Sequence, residues 1–253
     1  MPMKLARFEN KVALITGAGA GIGRATALRL AEEGARVACI DLKPEAVVET
    51  AELVAQNGGE ALAVTCDVSD RNSVNAAVAT SIDQFGQLDV LGNIAGILSF
   101  HHFSEMELAS WEKLFSVNVT GVFHVTQAAL PHLIETQGNI VNASSSSALG
   151  GLPYGVGYSS TKGAISAFTR SLAVELSPHG IRVNAVCPAS IVTAMTESTL
   201  IPDGAKNRLL TRQAAMDGPR GPEVVAGVIA MIASEDGTHL NGEEIRVDGG
   251  ALT

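Results

Sequence analysis

The stretch that decides the fold is residues 12–23, Val-Ala-Leu-Ile-Thr-Gly-Ala-Gly-Ala-Gly-Ile-Gly. Its first five residues are apolar or β-branched, which predicts a buried strand, and helical spacing begins at Ile22. Glycines between a strand and a helix allow a sharp turn whose backbone N–H groups can face a phosphate. The spacing is Thr-Gly-x-x-x-Gly-x-Gly, and no Gly-Lys-Ser/Thr follows that would indicate a P-loop. A merely structural turn is the alternative, but its position favours a dinucleotide-binding turn.

Asp41 closes the second predicted strand. A carboxylate at this place can accept hydrogen bonds from both ribose hydroxyls of an adenosine, and it repels the additional phosphate of NADP. Lys43 is the one nearby cation. The other neighbours that could offset the repulsion are uncharged: Ala18, Gly19, Ala20 and Leu42. The sequence therefore favours NAD over NADP.

Short apolar runs alternate with longer segments of helical spacing along the chain. The predicted strands are Val12–Thr16, Arg36–Ile40, Ala61–Thr65, Leu88–Ile94, Asn139–Ala143, Ile181–Cys187 and Glu244–Val247. The predicted helices are Ile22–Glu33, Pro44–Gln56, one capped by Asp70 and running to about Phe85, Trp111–Ile134, Gly157–Leu176 and Pro222–Ala233. Such alternation predicts an α/β fold, a Rossmann-like three-layer sandwich with a mostly parallel, seven-stranded sheet. We expect one domain over residues 1–253, with a substrate lid at about 190–220, where periodicity is weak.

Composition excludes several classes of protein. The net charge is −9 and no Lys/Arg cluster occurs, which argues against a nucleic-acid partner and an anionic membrane surface. No apolar run is long enough to span a membrane, and the N-terminal residues lack the apolar core of a signal peptide, so we expect a cytoplasmic protein. Cys39, Cys66 and Cys187 are widely spaced and predicted to be buried, not bridged or metal-bound.

The chain has two tyrosines, and their surroundings differ. Tyr158 and Lys162 lie four residues apart in a predicted helix and so share a face. Ser145 follows a predicted strand, at the carboxyl edge where α/β sheets bind ligands. Asn118 lies inside a predicted helix, where Asn has poor propensity. Tyr154 is followed four residues later by a tyrosine, not a lysine, and lies among glycines, which predicts a loop.

In this order and spacing, the motifs resemble those of the short-chain dehydrogenase/reductase family, over nearly the whole chain. The matching residues are Thr16–Gly23, Asp67-Val68, Asn93-Ile94-Ala95-Gly96, Asn118, Ser145, Tyr158, Lys162, Pro188, Thr193 and Val247-Asp248-Gly249-Gly250. Two positions depart from the family pattern. Ile94 replaces an asparagine, and Ala189 replaces a glycine beside the expected nicotinamide site.

The resemblance implies an NAD-dependent oxidoreductase that transfers a hydride between nicotinamide and a secondary alcohol/ketone substrate. Tyr158 would be the general acid/base, with its pKa lowered by Lys162 and by the positive nicotinamide ring. Ser145 would hydrogen-bond the substrate oxygen, and Asn118 would hold a water linking Lys162 to solvent. The implied cofactor contacts are Gly17, Ala20, Ile22, Asp41, Asp67, Val68, Asn93, Ala95, Tyr158, Lys162, Pro188, Ile191 and Thr193.

The substrate is left open by the sequence. The predicted pocket residues suggest a mid-sized, mostly apolar compound: Leu98, Ser147, Leu149, Tyr154 and Ser190. Two alternatives remain, an NADPH-dependent ketone or 3-oxoacyl-thioester reductase, and a catalytically silent dinucleotide-binding scaffold or sensor. No metal site is expected, since the adjacent His101 and His102 project in different directions. The family also suggests a homo-oligomer, a tetramer formed through the two longest helices.

Overall fold

The computed structural model describes residues 5–253, except for the side chain of Gln213. Within this range seven strands form one parallel sheet, in the order β3-β2-β1-β4-β5-β6-β7. The strands are β1 Val12–Thr16, β2 Arg36–Asp41, β3 Glu60–Thr65, β4 Val90–Asn93, β5 Asn139–Ala143, β6 Arg182–Pro188 and β7 Glu244–Val247. The strand order reverses between β1 and β4, which is where open α/β sheets bind ligands. The predicted fold class is confirmed.

Helices cover both faces of this sheet. They are α1 Gly21–Glu32, α2 Pro44–Gln56, α3 Arg71–Phe85, α4 Leu108–Phe115, α5 Gly121–Thr136, α6 Ser146–Gly150, α7 Val156–Leu176, α8 Ala194–Ser198, α9 Asn207–Leu210 and α10 Glu223–Ala233. Successive β1 side chains enter different cores. Ala13 and Ile15 pack in a core with α1 and α10, whereas Val12 and Leu14 pack in one with α3, α5 and α7. Burial on both faces explains why the central strands are apolar throughout.

Four of the predicted elements have the bounds that the structure shows: β1, α2, β5 and β7. Asp70 caps α3 as expected, because its side chain accepts a hydrogen bond from the backbone of Asn72. The predicted helix Trp111–Ile134 instead begins at Leu108 and contains a π-helical turn, Ser116–Thr120, between α4 and α5. Such turns are frequent at functional sites, and this one carries Asn118.

All three cysteines are buried and unbridged, and burial raises the pKa of the Cys39 thiol to about 12. In the described part of the chain, no helix combines the length and the apolar character needed to cross a membrane.

Candidate active site

The glycine turn packs directly on the end of β4. Gly17 has a left-handed backbone (φ +68), and a Cβ at this position would lie 2.9 Å from the Cα of Ala95. A Cβ on Gly23 would lie only 2.1 Å from the carbonyl oxygen of Gly17. The Thr16 hydroxyl accepts hydrogen bonds from the backbone of Ile94 and Ala95 at 3.0 and 3.1 Å. These contacts leave no room for side chains and fix the turn beside the next strand.

A cleft of about 760 Å³ runs along the carboxyl ends of β1 to β6. It is lined by most of the residues that the sequence singled out: Gly17, Ala20, Ile22, Asp41, Asp67, Val68, Ala95, Leu98, Ser145, Ser147, Tyr158, Lys162, Pro188, Ser190, Ile191 and Thr193. One cleft therefore joins the glycine turn to the Tyr158–Lys162 pair.

Asp41 lies at one end of the cleft, held by the turn. Its carboxylate accepts hydrogen bonds from the backbone N–H groups of Gly19 and Lys43, both at 3.0 Å. A Cβ on Gly19 would lie 2.8 Å from the carboxyl carbon of Asp41. The carboxylate therefore has a fixed position, and a side chain at residue 19 would displace it.

Asp67 follows β3 on the same side of the cleft. Its Oδ1 accepts hydrogen bonds from the backbone and the hydroxyl of Ser69, at 2.9 and 2.6 Å. The hydroxyl hydrogen bond from Ser69 and the charge of Lys113 hold the pKa of Asp67 below its ordinary value. Lys113, on α4, also lines the cleft.

Ser145, Tyr158 and Lys162 meet in the middle of the cleft. The Lys162 Nζ lies 5.6 Å from the centre of the Tyr158 ring and donates a 2.7 Å hydrogen bond to the carbonyl of Ala143. Ser145 caps α6, where its oxygen accepts from the backbone of Ser147 at 3.1 Å, and it lines the cleft together with Tyr158. Ser145, at the start of α6, and the face of α7 that carries Tyr158 and Lys162 thus bring the three side chains into one site.

In the protein alone, the pKa of Tyr158 is not lowered as the sequence analysis expects. Burial raises the pKa of Tyr158 to about 12, with a smaller opposing effect of the hydrogen bond to Ser145. Burial also lowers the pKa of Lys162 to about 8, so the lysine carries its charge at neutral pH. In this geometry Lys162 points to the Ala143 carbonyl and does not lower the pKa of the phenol below its ordinary value.

Asn118 is buried behind the cleft and bridges two segments. Its Oδ1 accepts from the Ile97 N–H at 2.8 Å, and its amide donates to the Ile97 carbonyl at 2.9 Å and to the Thr161 hydroxyl at 3.1 Å. Both amide hydrogens are thus in use, so only an oxygen lone pair of this side chain is left to hold a water. A Cβ on Gly96 would lie 3.2 Å from Asn118 Oδ1 and 3.6 Å from Lys162 Nζ, so this glycine keeps the space between them open.

Three expected lining residues lie elsewhere. The Asn93 amide points into the protein and donates to Thr126 and Asn142 at 3.0 and 2.9 Å, because it joins β4 to the buried polar groups of α5 and β5. Leu149 is on the outer side of α6 and is half-exposed. Tyr154 has a positive φ of 64°, and its hydroxyl accepts a hydrogen bond from the Lys206 N–H outside the cleft lining. Asn93 was expected to contact the cofactor, and Leu149 and Tyr154 were expected in the substrate pocket; none of the three lines this cleft.

Other residues line the cleft without having been singled out for it by the sequence. They are Ile97, Phe100, Lys113, Val117, Leu152, Thr199 and Leu210. Lys113 could have been identified from the sequence, because it lies close to Val117 and Asn118 in the same predicted helix. The remaining ones are apolar or hydroxyl side chains in loops, and their direction depends on tertiary packing.

Comparisons with known proteins identify the family of the chain. A family model described as short chain dehydrogenase matches residues 11–202. The chain is 40% identical to meso-2,3-butanediol dehydrogenase of Serratia marcescens, over 97% of this chain and 96% of that protein. It is 37% identical to 3-oxoacyl-(acyl-carrier-protein) reductase of Thermotoga maritima, over 97% and 99% of the two chains.

Among solved structures, the chain resembles the 3-ketoacyl-(acyl-carrier-protein) reductase of Brucella melitensis complexed with NADH. The TM-score is 0.89 at 31% identity, and the match covers 97% of this chain and 99% of the other.

Proposed function

The chain belongs to the short-chain dehydrogenase family, and from that premise we propose that it is an NAD-dependent oxidoreductase that interconverts a secondary alcohol and its ketone. The observation that carries the proposal is the convergence of Ser145, Tyr158 and Lys162 with the glycine turn in one cleft. The family binds nicotinamide dinucleotides.

The cleft fits a dinucleotide by its shape and its donors. Gly17 and Gly23 leave the turn free of side chains where α1 begins, and a helix N-terminus there favours a pyrophosphate. Lys162 would hold the nicotinamide ribose, with the other cofactor contacts supplied by the lining residues Asp67, Val68 and Thr193. When bound, the nicotinamide would accept or supply the hydride.

NAD is favoured over NADP by the position of Asp41. Its carboxylate is fixed by two backbone N–H groups, and its oxygens remain available to the hydroxyls of an adenosine ribose. A phosphate on that ribose would meet the same negative charge. Lys43, which also lines the cleft, donates its backbone N–H to Asp41.

The proton chemistry is assigned to Tyr158. In ketone reduction its hydroxyl gives a proton to the substrate oxygen, and in alcohol oxidation its phenolate takes one. The Ser145 hydroxyl holds the same oxygen while charge develops on it. Lys162, charged at neutral pH, favours the phenolate, and Asn118 Oδ1 beside Gly96 gives a water a place from which to pass protons to Lys162.

The protein alone leaves the pKa of Tyr158 high, so the phenolate needs a second positive charge near it. Oxidised nicotinamide carries such a charge. We therefore expect alcohol oxidation to depend on pH more steeply than ketone reduction, which uses the neutral phenol.

A second function of the same class is favoured by one relative. The identity to a 3-oxoacyl-(acyl-carrier-protein) reductase supports reduction of a 3-oxoacyl thioester or another ketone with NADPH. Asp41 argues against NADPH, but not against reduction of such a substrate with NADH. A silent dinucleotide-binding scaffold is disfavoured, because both Tyr158 and Lys162 are present and meet in the cleft.

The substrate proposed here is a mid-sized, mostly apolar compound. The part of the cleft beyond Tyr158 is lined by Leu98, Phe100 and Leu152, with Ser147 and Ser190 as polar groups. Residues 190–220, called the lid segment below, are proposed to close over this part, since Met195, Thr199 and Leu210 line the cleft from that side. We propose that the chain forms one domain and that the protein is cytoplasmic. We also propose a homotetramer, as the family suggests.

The test is an absorbance assay of reduced nicotinamide. Secondary alcohols are offered with NAD or NADP at alkaline pH, and ketones and acyl thioesters are offered with NADH or NADPH at neutral pH. Turnover with NAD and a secondary alcohol is expected. Productive turnover with NADP only would refute the cofactor proposal. Tight NAD binding without turnover of any panel member would favour the scaffold. Light scattering gives the oligomeric state, and a monomeric mass would refute the tetramer.

A further inference from the structure

Tyr154 lies outside the cleft but contacts the lid segment. Its hydroxyl oxygen accepts a 2.9 Å hydrogen bond from the backbone N–H of Lys206. Its own carbonyl accepts from the His101 N–H at 2.8 Å, which ties the loop before α7 to the segment after β4. The backbone of Tyr154 is therefore bound to the segment after β4, while its hydroxyl contacts the lid segment.

His102 makes a second contact with the same part of the lid segment. Its Nε2 lies 2.8 Å from the carbonyl oxygen of Asp203, and because a carbonyl can only accept, Nε2 is the donor. The His102 and Tyr154 rings meet edge to face, with centroids 5.2 Å apart at 85°. The two side chains thus support each other while they hold residues 203–206.

The two ends of the lid segment are joined to each other and to the turn after β7 by other contacts. Ile191 forms an isolated bridge with Arg220. The Ser190 hydroxyl accepts from the Ala215 N–H at 3.1 Å, and the Met216 N–H donates to Gly249 at 2.8 Å. Residues 203–206 lie far from both anchors along the chain.

The stretches on either side of residues 203–206 line the cleft. Thr199 lies before them and Leu210 after them. Between the anchors, Leu200 is 86% exposed and Ile201 52% exposed, so the apolar tip of the lid segment packs on little of the protein. Hydrogen bonds to residues 203–206 therefore decide where the middle of the lid segment lies.

Tyr154 holds this position in a conformation that disfavours most residues. Its φ of 64° is in the left-handed region, which a bulky residue adopts only when its surroundings determine it. The contacts with His101, His102 and Lys206 are the ones that determine it here. A tyrosine kept in this conformation, with its ring directed at the lid segment, is suited to a positioning role.

We propose that Tyr154 and His102 form a clamp that positions the lid segment over the substrate by holding residues 203–206. Both clamp hydrogen bonds are exposed to solvent, so the clamp can open and close as substrate enters and product leaves. Tyr154 and His102 are positioning residues, since neither lines the cleft. This inference rests on the proposed function of residues 190–220 as a lid.

The first test measures the clamp without any substrate. Tyr154→Phe keeps the ring and removes the acceptor for the Lys206 N–H, and His102→Ala removes the donor to Asp203. In limited digestion of the full-length protein by trypsin, we expect cleavage after Lys206 and Arg208 to become about fivefold faster in each variant, the effect of one lost hydrogen bond on an opening equilibrium. Amide hydrogen exchange over residues 203–210 should accelerate by a similar factor.

The controls separate a clamp from a general loss of stability. Cleavage after Arg71, on α3, and the thermal midpoint should be unchanged in both variants. His239→Ala, at an exposed position, should leave cleavage in the lid segment at the wild-type rate. The double variant should open more than either single variant, because each side chain contributes a separate hydrogen bond to residues 203–206.

The second test measures the effect on turnover. With a substrate found by the panel assay, KM should rise about fivefold in Tyr154→Phe and His102→Ala, while the dissociation constant of NAD is unchanged. The clamp proposal would be overturned if both variants had the wild-type rates of digestion and of amide exchange and the wild-type KM. Digestion and exchange need no turnover, so they decide on the clamp even if the proposed oxidoreductase function fails.

Discussion

The ammonium nitrogen of Lys162 lies 5.6 Å from the centre of the Tyr158 ring and 2.7 Å from the carbonyl oxygen of Ala143. One helical turn separates the two residues on α7, and the end of β5 fixes the lysine from the other side. The lysine is thus close enough to influence the phenol electrostatically, while its strongest contact is with the sheet. Burial dominates the pKa of both groups, raising that of Tyr158 and lowering that of Lys162.

Replacing the proposed general acid/base should remove turnover and leave the fold unchanged. Tyr158→Phe should lower kcat by about a thousandfold, the usual effect of general acid–base catalysis, with NAD binding preserved. Kinetics with a confirmed substrate and a binding titration check this. Tyr154→Phe makes the same chemical change at the other tyrosine and should act on KM, not on kcat. Turnover that survives in Tyr158→Phe would show that another group moves the proton.

Removing the charge of Lys162 should shift the pH dependence. In Lys162→Met the phenolate of Tyr158 loses a stabilising cation, so the pKa of Tyr158 rises. Alcohol oxidation needs the phenolate, and its acid limb should therefore move to higher pH while kcat falls about a hundredfold at neutral pH. The measurement is the pH profile of kcat for oxidation. An unshifted profile would mean that Lys162 only holds the ribose.

Asp41 should decide between the two cofactors. In Asp41→Asn the affinity for NAD should fall about tenfold, since hydrogen bonds to a charged group are lost, and the discrimination against NADP should shrink because the repulsion is gone. Titrations with both cofactors measure this, and the thermal midpoint verifies the fold. Asp83→Asn, at an exposed position on α3, is the matched control and should bind like the wild type. An unchanged ratio of the two affinities would contradict the assignment.

The turn should not tolerate a single methyl group at Gly23. A Cβ there would lie 2.1 Å from the carbonyl oxygen of Gly17, and backbone atoms cannot move aside without opening the turn. Gly23→Ala should lose NAD affinity by more than about tenfold and about 2 kcal/mol of unfolding free energy, as overpacking does. Gly227→Ala on α10 would meet Arg29 Nη1 at an ordinary 3.7 Å and should gain about 1 kcal/mol. Urea unfolding and a binding titration compare the two.

Glu33, at the end of α1, should make stability depend on pH. It accepts hydrogen bonds from Arg7 Nε at 2.6 Å and from Arg29 Nε at 2.5 Å. Burial would raise the pKa of Glu33, but the hydrogen bonds from both arginines outweigh it and hold the pKa below its ordinary value. A lowered pKa in the folded state stabilises the protein above the ordinary glutamate pKa, and this contribution is lost as the pH falls through the folded pKa.

Glu33→Gln should therefore reduce the free energy of unfolding by about 2 kcal/mol at neutral pH, with a difference that shrinks in acid. Glu32→Gln, next to it and exposed, should change the free energy little at either pH. Urea unfolding at neutral and acidic pH measures both. A difference that is constant with pH would show that the ion pairs contribute nothing through ionisation.

Most of the fold could be predicted because its signals are local. The bounds of β1 and β5 follow from short buried runs, and α2 from a proline at its start and Asn-Gly-Gly after it. The long helix before β5 was misjudged at its start because Leu108 to Ser110 carry no strong stop or cap signal. The π-helical turn at Asn118 has no local signal, since it depends on how α4 and the turn itself pack on α7.

The candidate site also combines features that local sequence predicts with features that depend on tertiary packing. By itself the sequence determined the turn at Gly17–Gly23, the carboxylate at Asp41 and the pairing of Tyr158 with Lys162, because these depend on spacing within one strand, turn or helix. Only the tertiary structure decided that Asn93 faces the interior, that Tyr154 contacts the lid segment, and that burial raises the pKa of Tyr158 more than Ser145 lowers it. Side-chain direction and desolvation depend on atoms from elements distant in the chain, and no local pattern encodes them.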